Sequence, residues 1–142
     1  MRSPILAFAL LGVSVLCYSA QPTRAPSARP SESDRDLRRA FEQRTSNIWV
    51  EGQGVVRRIL PDDRDGSRHQ RFILELRSGQ TLLVSHNVDV APRIPGLRKG
   101  DKVAFRGEYE WNPQGGVIHW THHDPDGRRS GGWLKHRGKT YQ

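Results

Sequence analysis

KVAFRGEYEW, residues 102–111, decides the fold. Val103, Phe105, Gly107, Tyr109 and Trp111 alternate with Ala104, Arg106, Glu108 and Glu110. A period of two places one set on each face of a β-strand. The apolar set faces a core and the charged set faces water.

The same period runs through most of the chain around it. IWVEGQGVVRRIL (48–60) predicts a long first strand, with Gly52 and Gly54 marking a bulge or a sharp bend. PDDRDGSR (61–68) reads as a turn cluster. HQRFILELR (69–77) and QTLLVSHN (80–87) flank Ser78-Gly79, a hairpin signal. VDVAPRIPGLRKGD (88–101) is a longer connection holding Pro92, Pro95 and Gly96. NPQGG (112–116) turns the chain into VIHWTH (117–122), a fifth strand, and GGWLKHRGKTY (131–141) offers a short sixth. The expectation is a mostly β fold, a small five- to six-stranded barrel like the OB-fold, whose loops bind oligonucleotides or sugars. A small β-sandwich is the alternative.

Upstream, SDRDLRRAFEQRTS (33–46) places Leu37, Ala40 and Phe41 on one helical face, with Ser33 or Asp34 as cap. A short helix is expected over 34–46, leading into a barrel domain over 47–142. Residues 21–33, QPTRAPSARPSES, hold little to bury and read as a disordered linker. Residues 1–20 pair Arg2 with an apolar run from Ile5 to Tyr18 and then Ser19 and Ala20. That is the layout of a secretory signal peptide. It is short for a spanning helix, which needs about 20 apolar residues. The protein is therefore expected in the periplasm or outside the cell, with no stable membrane span after processing.

Cys17 is the only cysteine and lies in that segment. The processed chain then has no disulfide, no cysteine zinc site and no cysteine nucleophile. The net charge of +8 leaves about +7 without Arg2. A basic exported chain has nucleic acid or another anionic polymer among its possible partners.

Five of the six histidines lie between His69 and His123. In an extended strand, His119 and His123 share a face with Thr121 but stand about 13 Å apart. They can share one ion only if the chain bends after Thr121. A two-residue turn at Ser78-Gly79 pairs Arg71 with His86 and Gln70 with Asn87. His69 and His86 then share a face as diagonal neighbours, with Gln70 and Asn87 opposite. For the last hairpin, a five-residue loop turns His119 towards the core with Tyr109, and a four-residue loop turns it outward.

The candidate metal ligands are His69, His86, His119, His122, His123 and Asp124. Gln70, Asn87, Glu110 and Trp120 are candidate ligand-binding residues. Neutral imidazole and carboxylate suit a divalent transition metal, zinc first. No HExxH spacing is present, and hydrogen bonding at strand ends is the plain alternative. Asp62, Asp63 and Asp65 fail the EF-hand spacing and read as a polar turn. Trp49, Trp111, Trp120 and Trp133, with Arg57, Arg58, Arg106, Lys135 and Arg137, have the composition of a stacking platform. A core role is the simpler reading for Trp49 and Trp111.

The stretches HQ (69–70), SHN (85–87), GEYEWN (107–112) and HWTHHDP (119–125) resemble a bacterial family of small exported proteins known only as a domain of unknown function. The resemblance covers Trp49 to Tyr141. It implies export and a bacterial source, and brings no activity, substrate or catalytic residue. Three functions remain. The first is ligand binding through a histidine-rich rim with a metal ion. The second is metal-dependent phosphodiester hydrolysis, nuclease-like, with a histidine as general base. The third is metal-free binding of anionic polymers through the arginines.

Overall fold

A computed structural model describes residues 31–142. The expected signal segment and all but the last residues of the expected linker lie outside the described residues.

The helix α1 spans Glu32–Glu42. It begins earlier than the pattern placed it, because Ser31 is the cap. The Ser31 hydroxyl accepts the Asp34 N–H at 3.1 Å and donates to the Asp34 carboxylate at 2.9 Å. Arg44 ends the helix with a left-handed backbone, φ 52°. The Thr45 N–H bonds the Ala40 carbonyl at 2.9 Å and the Arg44 N–H bonds that of Phe41 at 3.1 Å. These two bonds form a Schellman closure. Leu37 and Ala40 enter the core, and Phe41 stacks on Trp111 with centroids 6.4 Å apart. The Trp111 indole donates to the Phe41 carbonyl at 3.0 Å, tying helix to sheet.

All seven strands belong to one sheet. β1 is Ile48–Asp63, β2 His69–Glu75, β3 Thr81–Asn87, β4 Lys102–Glu110 and β5 Val117–His119. β6 is Trp133–His136 and β7 Lys139–Tyr141. The pairings link five strands in a ring, β1-β2-β3-β5-β4 and back to β1, with β6 and β7 outside it. β1 serves two neighbours: Ile48 to Val55 pair with β4, and Val55 to Asp63 pair with β2. Bulges follow at Val56/Arg58 and Leu60/Asp63. A Cβ on Gly54 would lie 2.8 Å from the Glu75 carbonyl oxygen, so the crossing requires glycine there.

Several expectations are corrected. Pro61, Asp62 and Asp63, read as turn, continue β1. The β2–β3 turn has three residues, Arg77 to Gly79, because the Leu76 N–H bonds the Gln80 carbonyl and Gly79 adopts φ 84°. The register shifts by one: Gln70 faces His86 and His69 faces Asn87. One step of slip exchanges faces, so His69 and His86 do not share one. The β4–β5 loop has six residues, and His119 faces Glu108. Six residues and four have the same parity, so His119 points outward. β5 stops at His119, because Trp120 takes φ 52°. The C-terminal stretch is a hairpin of two strands, turned by Arg137 (φ 49°) and Gly138 (φ 78°).

The core lies inside the ring. Phe72, Leu74, Leu82, Val84, Phe105, Tyr109 and Ile118 are fully buried. Each such side chain contributes roughly 1.5–3 kcal/mol by leaving water. The Tyr109 hydroxyl donates to the Gly115 carbonyl at 3.1 Å, and burial pushes its pKa up. Trp111 packs against this core, as expected. Trp49 does not: it is 36% exposed on the outer face.

Candidate functional site

A groove of about 440 Å³ runs along the outer face of β2, β3 and β5 beneath the loop after β5. Alternation supplies its floor. His69 faces Asn87 across β2 and β3, and Ser85 follows two residues back on the same face. Val84 pairs with Ile118 in parallel, so the next residues, Ser85 and His119, lie side by side on that face.

Trp120 supplies the wall. Its left-handed backbone breaks the strand alternation expected through 122. Thr121 turns inward and is fully buried, while Trp120 and His122 come together with ring centroids 5.1 Å apart. Arg129 covers Trp120 at 5.0 Å. Asp124 closes the loop: its carboxylate accepts the Arg129 N–H at 2.7 Å and the Asp126 N–H at 3.1 Å. Burial alone would raise its pKa, but the N–H groups of Asp126, Arg129 and Arg128 outweigh that and hold it below the usual value. DPDG is therefore a turn in which the aspartate is also a brace.

Two histidines of the groove have a defined tautomer. The His69 Nδ1 lies 2.8 Å from the Ser67 carbonyl and the His122 Nδ1 lies 2.7 Å from the His123 carbonyl. A carbonyl only accepts, so in the neutral rings Nδ1 carries the proton and Nε2 keeps its lone pair. The third, His119, has a buried Nε2 without a hydrogen-bond partner. Its nearest carboxylate oxygen, on Glu110, is 3.7 Å away. A buried polar atom left unpaired is costly.

The remaining candidates lie elsewhere. His86 is fully buried inside the ring. Its Nε2–H donates to the Pro92 carbonyl at 3.0 Å, so its Nδ1 accepts the Thr121 hydroxyl at 2.8 Å. Desolvation lowers its pKa and keeps it neutral. Gln70 is buried beside it, donating to the Ile94 carbonyl at 3.0 Å and accepting the Ile94 N–H at 2.9 Å. That pair pins the long connection to β2. His123 is exposed and does not line the groove. Glu110 stands at the edge, next to His119. Among the described residues, no three His, Cys, Asp or Glu side chains are grouped closely enough to hold a metal ion as they stand. Sequence reasoning missed Ser67 and Ser85. Ser85 was legible, since it shares the face of Asn87 two residues on.

A family profile described as "Protein of unknown function (DUF3465)" matches residues 14–142. The chain belongs to that family. The match spans the whole groove and every strand of the ring. No curated protein matches the chain. Among the described residues, no helix of this DUF3465 member is long and apolar enough to cross a membrane.

Proposed function

We propose that this chain is an exported ligand-binding protein whose groove takes a divalent transition metal, zinc first, through His69, His119 and His122. The observation that carries this is the set of Nε2 positions. Two keep free lone pairs because Nδ1 is anchored on a backbone carbonyl, and the third is buried without a partner. Metal-bound histidines commonly anchor their other nitrogen in this way. Asp124 braces the loop that carries His122, while Asn87 and Trp120 meet whatever ligand the ion holds. The three imidazoles stand on β2, at the end of β5 and in the loop after it, so they would have to move to converge on one ion.

The ring order supports an OB-like barrel as the scaffold, with the groove on its outer face. Residues 1–20 support export, since a charged start, an apolar run and small residues form a signal layout. The hydrolase reading uses the same groove, with a histidine as base on metal-bound water.

Calorimetry and elemental analysis of the untagged protein with zinc, copper and nickel test the proposal. One ion per chain is expected. His69→Ala, His119→Ala and His122→Ala should each weaken binding at least about tenfold, and His123→Ala should not. No stoichiometric binding of any of the three metals would refute it. Plasmid nicking that appears with metal and disappears with His119→Ala would favour hydrolysis over binding alone.

A further inference from the structure

The outer face of β1, β4 and β6 carries a second groove, about 630 Å³, sharing no lining residue with the first. Its chemistry is different. Trp49 and Trp133 both line it, and they stand on β1 and β6 with β4 between them. Pairing places Glu51, Arg106 and Trp133 in one row across the three strands. Two strand spacings separate the tryptophan-bearing strands, about 10 Å.

Each ring is steadied by a cation. The Arg106 guanidinium lies 5.9 Å from the Trp49 centroid and the Lys135 amine 4.3 Å from that of Trp133. A cation on one face leaves the other for a ligand. Arg106 also bonds Glu51 at 3.0 Å, yet its Nε is buried without a partner. The rim is rich in hydroxyl, amide and carboxylate groups: Ser33, Asp36, Glu51 and Gln53.

The local charge decides the ligand class. The chain is basic, at +8. The groove lining is not: it carries Glu32, Asp36 and Glu51 and no Lys or Arg, and of the cations beside it Arg106 bonds Glu51, Arg39 pairs with Asp36 and Lys135 sits over Trp133. A phosphate chain would meet carboxylates there. A sugar ring offers an apolar C–H face to an indole and hydroxyls to carboxylates and amides. We propose that this groove binds a neutral or amino-sugar glycan, with Trp49 and Trp133 stacking on separate rings of one chain and Glu51, Asp36 and Gln53 taking hydroxyls.

Tryptophan fluorescence and calorimetry with chito-oligosaccharides, cello-oligosaccharides and heparin test this. Binding of at least one of the first two is expected, unchanged by a metal chelator. Trp49→Ala, Trp133→Ala and the milder Glu51→Gln should each weaken it about tenfold or more, while Trp120→Ala, in the other groove, should leave it unchanged. Thermal melts establish that each variant folds. No binding of either oligosaccharide at millimolar concentration overturns the proposal. So does binding of heparin alone that falls steeply with salt, or a dimer in sedimentation that Trp49→Ala dissociates, which would give the face to a second copy. Failure of metal binding in the histidine groove leaves this proposal standing.

Discussion

His86 on β3 and Thr121 after β5 meet inside the ring, the threonine hydroxyl donating to Nδ1 at 2.8 Å. The same threonine fills the space beside Gly107: a Cβ there would lie 3.0 Å from the Thr121 Cγ2. The contact is where the strand-ending bend at Trp120 is locked to the sheet. It also couples the wall of the histidine groove to the core.

Thr121→Val keeps the shape and removes the donor. The His86 Nδ1 is then buried and unpaired, which costs about 1–3 kcal/mol. Urea unfolding should show a lower midpoint at unchanged slope. An unchanged midpoint would mean that water replaces the hydroxyl.

Stability should fall in two steps on acidification. His86 has a folded pKa below its ordinary 6.5, so the unfolded chain takes up a proton first. Its contribution is complete above 6.5 and declines as pH drops towards the folded value, by up to about 1.4 kcal/mol per pH unit. Asp62, Asp101 and Asp124 also have lowered pKa values, against an ordinary 3.8. Their contribution is complete above 3.8 and is lost as pH falls through the folded values. Thermal melts from pH 8 to 3 should show both declines, and His86→Gln should abolish the upper one alone.

Glycine positions should divide by available space. A Cβ on Gly107 would sit 2.5 Å from the His119 carbonyl oxygen and 2.8 Å from the Ile118 Cγ2. Gly107→Ala should cost roughly 1–3 kcal/mol by overpacking and displace the start of the groove wall. Gly66 has φ 71° and nothing within 4 Å, so Gly66→Ala should cost only backbone strain, roughly 1–2 kcal/mol. Equal metal affinity in the two variants would contradict the placement of His119.

Asp124→Asn should act on the groove without touching its imidazoles. The substitution removes a charged acceptor from the Arg129 and Asp126 N–H groups. Bonds to charged groups contribute about 1.5–3 kcal/mol, and the amide retains part of that. The expected result is a modest loss of stability with a weaker metal site at neutral pH. Equal weakening by His123→Ala would instead point to an effect of charge or of loop identity alone.

What the sequence determined by itself was local. The period of two in KVAFRGEYEW, HQRFILE and TLLVSHN located β4, β2 and β3 within about two residues, because inside-outside alternation is written in neighbouring positions. The apolar face of α1 and the Asp-Pro-Asp-Gly turn were legible for the same reason. The tertiary structure decided which faces meet. A three-residue turn at Arg77–Gly79 set His86 opposite Gln70 and on the other face from His69, and a six-residue loop turned His119 outward. Left-handed Trp120 then brought His122 into the groove, sent Thr121 to His86 and left His123 exposed. Register, ring closure and a single backbone reversal depend on contacts between strands far apart in the chain. Alternation constrains each strand's two faces, and only packing chooses the partner that each face receives.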